Sequence, residues 1–285
     1  MIPADLTGRT FLITGANSGI GRALALALAE RKARLVLAAR SEERTRPVLD
    51  AIRRDHPGAE ASFLALDLAD FASVRAAAAR ALTLVPRLDV LVNNAGVAGT
   101  RGVSRDGFHV TYQVNHLGPF LFTHLLEGAV RAAPQGRIVN VSSVANYQVR
   151  AIDWSLLTTK PSRDRGTFGD YAATKLMNIL HAKELARRLT GTAVTTYAVH
   201  PGGVATNIWR ALPLPLQWLV KLFLISEEEG ASTPLYCAAD DALGSATGRY
   251  YTKESERPPN PLAEDTALAA ELWRRSAEAT GVPLA

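Results

Sequence analysis

The chain has one cysteine, Cys237, among 285 residues, so no internal disulfide can form. That scarcity suits a reducing compartment. Membrane-spanning runs of about 20 apolar residues are also missing. The nearest approach is "ALPLPLQWLVKLFLI", residues 211–225, which carries two prolines and contains Lys221. Residues 1–9 have no apolar core of signal-peptide type. The expectation is a soluble, cytoplasmic protein, with peripheral membrane contact through residues 211–225 left open. Net charge is +5, but no long basic run exists; Arg53, Arg54, Arg187 and Arg188 are typical of the scatter. That pattern argues against a nucleic-acid partner. None of the six histidines pairs with cysteine or acid at a metal-ligand spacing, so no metal is expected, and the histidines read as surface or satisfied core residues. No internal repeat, low-complexity linker or shift in composition marks a boundary. One domain over residues 1–285 is therefore expected, with a substrate-binding excursion at about 203–226.

What is present is an alternation of apolar runs and helical patterns. "TFLITG", "ARLVLAAR", "ASFLALD", "LDVLVNNAG", "GRIVNVSS" and "TAVTTYAVHPGG" read as six strands, with "GRYYT" as a short last one. Helices are expected over about residues 19–32, 43–55, 71–85, 107–133 and 171–190. Strands rich in Val, Ile and Leu without polar alternation imply a sheet covered on both faces. Strand–helix alternation implies parallel pairing with right-handed crossovers. Residues 147–169 and 201–226 read as irregular, and excursions after strand ends are where α/β proteins place substrate sites.

Gly15, Gly19 and Gly21 stand between the first strand and the first helix, in "GANSGIG". Glycine there allows a tight turn and leaves no side chain between backbone and ligand. The free N–H groups of the first helical turn, with the helix dipole, then bind phosphate. The turn, with Asn17, Ser18 and Ile20, is thus a candidate dinucleotide cradle. The second strand ends at Ala39 and Arg40, where an acid would favour NAD. Without that acid, Arg40 can bind a 2′-phosphate, which favours NADP(H) over NAD(H). Asp67 ends the third strand, where it can accept an adenine amino group or charge the start of the next helix; Leu68 beside it joins the candidate cofactor set.

Together these features resemble the short-chain dehydrogenase/reductase family. The resemblance rests on Thr14 to Gly21, Asn93-Asn94-Ala95-Gly96, Asn115, Ser142-Ser143, Tyr171-Ala172-Ala173-Thr174-Lys175 and Pro201-Gly202, in family order across nearly the whole chain. "VNHLGPF", "NILHAKELARRL" and "HPG", with the long gap between Ser143 and Tyr171, are similar to its retinol-dehydrogenase-like branch. The implied fold is α/β: a single Rossmann-type doubly wound parallel sheet with helices on both faces. The resemblance implies Tyr171 as general acid in reduction and base in oxidation, Lys175 as partner of tyrosine and ribose, Ser143 on the substrate oxygen, and Asn115 as anchor of a water relay. It also places Asn94, Ala95 and Gly96 along the cofactor, and Pro201, Gly202, Val204 and Thr206 near the nicotinamide.

The chemistry agrees with the resemblance. Carbonyl reduction needs a hydride on carbon, which a nicotinamide cofactor supplies, and a proton on oxygen. Tyr171 and Lys175 are four apart, so they share a helix face. A free tyrosine has a pKa of about 10, which a neighbouring ammonium is expected to lower. The expected substrate is a small apolar alcohol, aldehyde or ketone, because residues 209–225, with Trp209, Leu216 and Trp218, offer few polar groups. A homo-oligomer is left open. Two other readings stand beside this one. A catalytically silent dinucleotide sensor would not need Ser143, Tyr171 and Lys175. A reductase of porphyrin-like rings would usually carry a cysteine near the cofactor, and Cys237 is far along the chain.

Overall fold

A computed structural model of the chain describes residues 1–158, 167–203 and 225–284. An eight-stranded sheet has the order β3-β2-β1-β4-β5-β6-β7-β8. Its strands are β1 (Thr10–Thr14), β2 (Arg34–Ala39), β3 (Glu60–Ala65), β4 (Val90–Asn93), β5 (Arg137–Val141), β6 (Thr195–His200), β7 (Arg249–Thr252) and β8 (Ser255–Glu256). Every pair is parallel except β7 with β8. The order reverses between β1 and β4, and the crevice outside the carboxyl ends of strands at such a point is where α/β sheets bind ligands.

Both faces of the sheet are covered, as the unbroken apolar strands require. Phe11 and Ile13 of β1 pack with Leu24 and Leu28 of α1 (Gly19–Ala29), Val48 and Ile52 of α2 (Glu42–Asp55), and Ala231 and Leu235 of a helix over Glu227–Ala239. Leu12, between them, points the other way. It joins Val74 of α3 (Phe71–Leu84), Phe120 of the helix over Gly118–Arg131, and Trp273 of the helix over Thr266–Thr280. This period of two is the strand pleat.

The long helix expected over 107–133 is interrupted. A short α4 (Val110–Tyr112) runs into a π turn at Gln113–Leu117 and then into α5 (Gly118–Arg131). π turns recur at functional positions because they re-aim side chains, and this one carries Asn115. The next helix, α6 (Phe168–Arg188), begins with a capping box: Thr167 accepts from the Asp170 N–H, and the Asp170 carboxylate accepts from the Thr167 N–H. The cap fixes the first turn, and Tyr171 follows it directly. Two helices outside the expected set close the fold, α7 (Glu227–Ala239) and α8 (Thr266–Thr280), capped by Ser226 and Asp265. Among the described residues no helix is long and apolar enough to cross a membrane.

Candidate active site

The carboxyl ends of β1 to β6 surround a cavity of about 770 Å³. Of the residues expected to bind cofactor or substrate, Gly15, Asn17, Ser18, Gly19, Ile20, Arg40, Asp67, Leu68, Asn94, Ala95, Gly96, Ser143, Tyr171, Lys175, Pro201 and Gly202 line it. Gly21 and Asn115 stand behind the wall. Val204 and Thr206 lie outside the described residues, as do Trp209, Leu216 and Trp218.

The adenine-side end is built from β1, β2 and β3. Gly15 has φ +68° and donates its N–H to the Ala38 carbonyl at 2.8 Å, which turns the chain sharply off β1. Gly21 serves packing: a Cβ there would sit 2.5 Å from the Gly15 carbonyl oxygen and 2.6 Å from Asn94 Nδ2. Thr14 Oγ1 accepts from the N–H groups of Asn94 and Ala95 at 3.0 Å each, and Asn94 Nδ2 donates to the Thr14 carbonyl at 2.8 Å. The two strands of the crevice are thereby joined at its floor.

At the N-terminus of α1, Ser18 makes no side-chain cap, and no acid occupies the first turn. By contrast α2, α3, α6, α7 and α8 all begin on side-chain caps. The first turn of α1 lines the cavity with no side-chain cap among the described residues, an arrangement suited to a phosphate. Arg40 and Arg44 both line the cavity at the end of β2 and are exposed. Arg44 was legible as the residue one helical turn beyond Arg40, but no motif singled it out. Asp67 is not the cap of α3, since Asp70 accepts from Ala72 and Ser73 there. Its carboxylate faces the cavity and accepts from the Ala69 N–H at 3.0 Å.

At the opposite end stand Ser143, Tyr171 and Lys175. The Ser143 hydroxyl works to lower the Tyr171 phenol, but burial is the larger effect and pushes Tyr171 upward. The expected lowering by Lys175 is not found, because the ammonium sits 5.4 Å from the ring centroid and donates to the Val141 carbonyl at 2.9 Å. Burial brings Lys175 itself down to about 8, so most of it stays protonated at neutral pH. Ser142 is buried and donates to the Lys175 carbonyl at 2.6 Å, which leaves Ser143 as the serine with a hydroxyl at the cavity.

Asn115 is held on all sides. Its Nδ2 donates to the Val97 carbonyl at 2.8 Å and Thr174 Oγ1 at 3.0 Å, and its Oδ1 accepts from the Val97 N–H at 2.8 Å. It therefore ties the segment after β4 to α6 one residue before Lys175. Val144, Gln148, Phe168, His200 and Glu227 also line the cavity. His200 departs from the expectation of a surface or satisfied histidine: it is 8% exposed, and its Nδ1 is enclosed without a hydrogen-bond partner.

With this geometry in view, the class is that of a nicotinamide-dinucleotide oxidoreductase built on a doubly wound sheet. Residues 9–215 match the model of the short chain dehydrogenase family. The chain belongs to the short-chain dehydrogenase/reductase family, in its retinol-dehydrogenase-like branch. It is 42% identical to human dehydrogenase/reductase SDR family member 13 over 286 residues, covering 98% of this chain and 74% of that protein. It is 39% identical to human retinol dehydrogenase 12 over 281 residues, covering 98% and 88%. A solved structure of an uncharacterized protein from Mycobacterium paratuberculosis superposes with TM-score 0.80 at 30% identity, covering 100% and 97%. A short chain dehydrogenase from Shigella flexneri 2a, complexed with NADP, superposes with TM-score 0.69 at 26% identity, covering 86% and 96%.

Proposed function

We propose that the chain is an NADP(H)-dependent alcohol dehydrogenase or carbonyl reductase, with Ser143, Tyr171, Lys175 and Asn115 as its proton-transfer set. One observation carries this reading. A single cavity has an uncapped helix N-terminus and two arginines at one end, and the Ser143 and Tyr171 side chains with a buried ammonium at the other. The residues fit a phosphorylated dinucleotide: α1 would receive the pyrophosphate, Arg40 and Arg44 the 2′-phosphate, and Lys175 the nicotinamide ribose. When bound, the reduced cofactor supplies hydride to the substrate carbon.

The chain's own groups supply the rest. Ser143 donates to the substrate oxygen and holds it beside Tyr171. Tyr171 gives its phenolic proton to that oxygen in reduction and takes it back in oxidation. A phenol held high by burial stays protonated, as a donor for reduction must be. For oxidation it needs the charge of Lys175 nearby, and a dry site strengthens that charge. Asn115 keeps α6 in register with the segment after β4. The retinol dehydrogenases among the relatives support an apolar alcohol or carbonyl as substrate.

The test is a panel of apolar aldehydes, ketones and alcohols followed by absorbance of the reduced cofactor, with Tyr171→Phe as control. Parent turnover with a loss of about a hundredfold or more in the variant is expected, cofactor affinity being kept. Cofactor binding with no turnover of any panel member by the parent would favour the silent sensor instead.

A further inference from the structure

β6 ends at His200, immediately before Pro201 and Gly202. Val199 packs into the cluster shared with α1 and α7, whereas Ala198 packs into the cluster shared with α6. His200 is two residues from Ala198, so the pleat aims it at the α6 side, where Lys175 lies. Register agrees, since Val199 pairs with Val141, and the carbonyl of Val141 accepts from the Lys175 ammonium at 2.9 Å. His200 therefore closes the cavity wall beside Lys175, at the end opposite Arg40 and Arg44.

The two ring nitrogens differ. Nδ1 is enclosed and has no hydrogen-bond partner, whereas Nε2 is not enclosed in this way. A buried N–H without an acceptor is rarer than an under-used acceptor. The tautomer that fits leaves a lone pair on Nδ1 and the proton on Nε2. The ring thus presents an N–H donor to the cavity. Burial, and then the charge of Lys175, hold His200 down to about 4, so the ring is neutral near pH 7.

We propose that His200 is a further cofactor-positioning residue, whose neutral Nε2–H donates to an oxygen of the nicotinamide riboside beside Lys175. The inference rests on the dinucleotide reading of the cavity. The chemistry favours a neutral donor at this place. An oxidised nicotinamide is cationic and Lys175 is already an ammonium, so a third charge would repel both. An uncharged imidazole orients the oxygen without that repulsion.

The experiment follows the ¹⁵N resonances of His200 in the parent protein, assigned by their loss in His200→Asn. Spectra are compared without ligand, with NADPH, and with 2′,5′-ADP, which has the adenine half alone. NADPH is expected to move the His200 resonances, and 2′,5′-ADP to leave them in place. In titrations, His200→Phe keeps a ring without nitrogen and is expected to weaken NADPH about five- to tenfold, the scale of one hydrogen bond. It should bind 2′,5′-ADP as the parent does, and His200→Asn, which keeps an N–H donor, should recover most of the loss. Resonances that ignore bound NADPH would overturn the proposal, as would equal NADPH affinity in His200→Phe. A parent that binds neither ligand would instead sink the dinucleotide reading. The parent spectra need no folded Phe variant, so the proposal stays open to refutation if that variant misfolds.

Discussion

Ser142 Oγ donates at 2.6 Å to the main-chain carbonyl of Lys175, joining the end of β5 to the middle of α6. The next residue, Ser143, instead turns its hydroxyl to Tyr171. Adjacent side chains on an extended segment point opposite ways, so two serines in sequence do two jobs. Ser142→Ala is expected to lower stability by about 0.5–1.5 kcal/mol, because a buried side-chain hydrogen bond is lost while the carbonyl keeps its helical donor. Ser143→Ala loses only the half-buried cap on the Ala145 N–H, about 0.5–1 kcal/mol, and should reduce kcat by about a hundredfold, the scale of one lost oxyanion donor. Urea unfolding and steady-state kinetics on both variants separate the roles, and exchanged outcomes would reassign them.

Lys175 carries a built-in cost. Its ordinary value is 10.5 and burial lowers it to about 8. Between those values the unfolded chain binds more protons, so this group makes stability rise as pH goes from 8 to 10.5. Below 8 its full penalty is present, about 3 kcal/mol at most. Lys175→Met should therefore stabilise the cofactor-free protein at pH 7 by about 1–3 kcal/mol, less whatever the Val141 hydrogen bond contributes. It should also abolish turnover. In the parent, affinity for the reduced cofactor should fall as pH rises through 8. Denaturant melts and fluorescence titrations across that range check both signs.

The proposed NADP(H) preference rests on Arg40, expected from the sequence, and on Arg44, which lines the same end of the cavity. Each charged contact to a 2′-phosphate contributes about 1.5–3 kcal/mol. Arg40→Ala and Arg44→Ala should each weaken NADP(H) about tenfold to a hundredfold and NAD(H) hardly at all. Equal losses for both cofactors in titrations would remove the pair as selector.

Much of this was legible in the chain because the parallel strands are short apolar runs that end at the residues lining the cavity. Gly15, Asn94 and Pro201 each follow a strand directly and Ser143 stands one residue further on, so reading the strands also located the cavity. The π turn at Gln113–Leu117 was not legible, since its residues continue a helical pattern and only the demands of Asn115 reveal it. Helix α7 was missed because "EEEGASTPLYCAA" carries Gly230 and Pro234, which weaken a local helical signal. Its Ala231 and Leu235 pack on the sheet and override that weakness. His200 was misread because burial and a missing partner are tertiary facts.

Acid should act through His116 and His181. Both lie under α8, with His116 Nε2 at 2.8 Å from Ser276 Oγ and the two rings 6.0 Å apart. Burial brings each down to about 3, helped for His116 by its neighbour. Between about 3 and 6.5 the unfolded chain binds protons that the folded chain does not, so stability falls as pH falls through that window. With His200, which burial holds down to about 4, three such groups give a slope of up to about 4.1 kcal/mol per pH unit. His181→Gln should remove about a third of it, which urea midpoints from pH 4 to 7 will show; an unchanged slope would assign acid lability elsewhere.

An apolar rim stands beside Tyr171. Phe168 and Val144 line the cavity, and each is 49% exposed. The Phe168 ring lies 5.9 Å from the Tyr171 ring, so an apolar chain held at the tyrosine hydroxyl has this side chain in reach. Residues 209–224, expected to add apolar wall, lie outside the described residues. An apolar rim selects by area removed from water, about 0.8 kcal/mol per methylene, or roughly fourfold in kcat/KM until the surface is covered. A homologous series of straight-chain aldehydes should show that rise in the parent. Phe168→Ala should flatten it, lowering kcat/KM for the longer members by about tenfold and leaving the shortest nearly untouched. A parent profile that is flat with chain length would refute the apolar assignment. A Phe168→Ala profile parallel to the parent's would place the selecting surface away from α6.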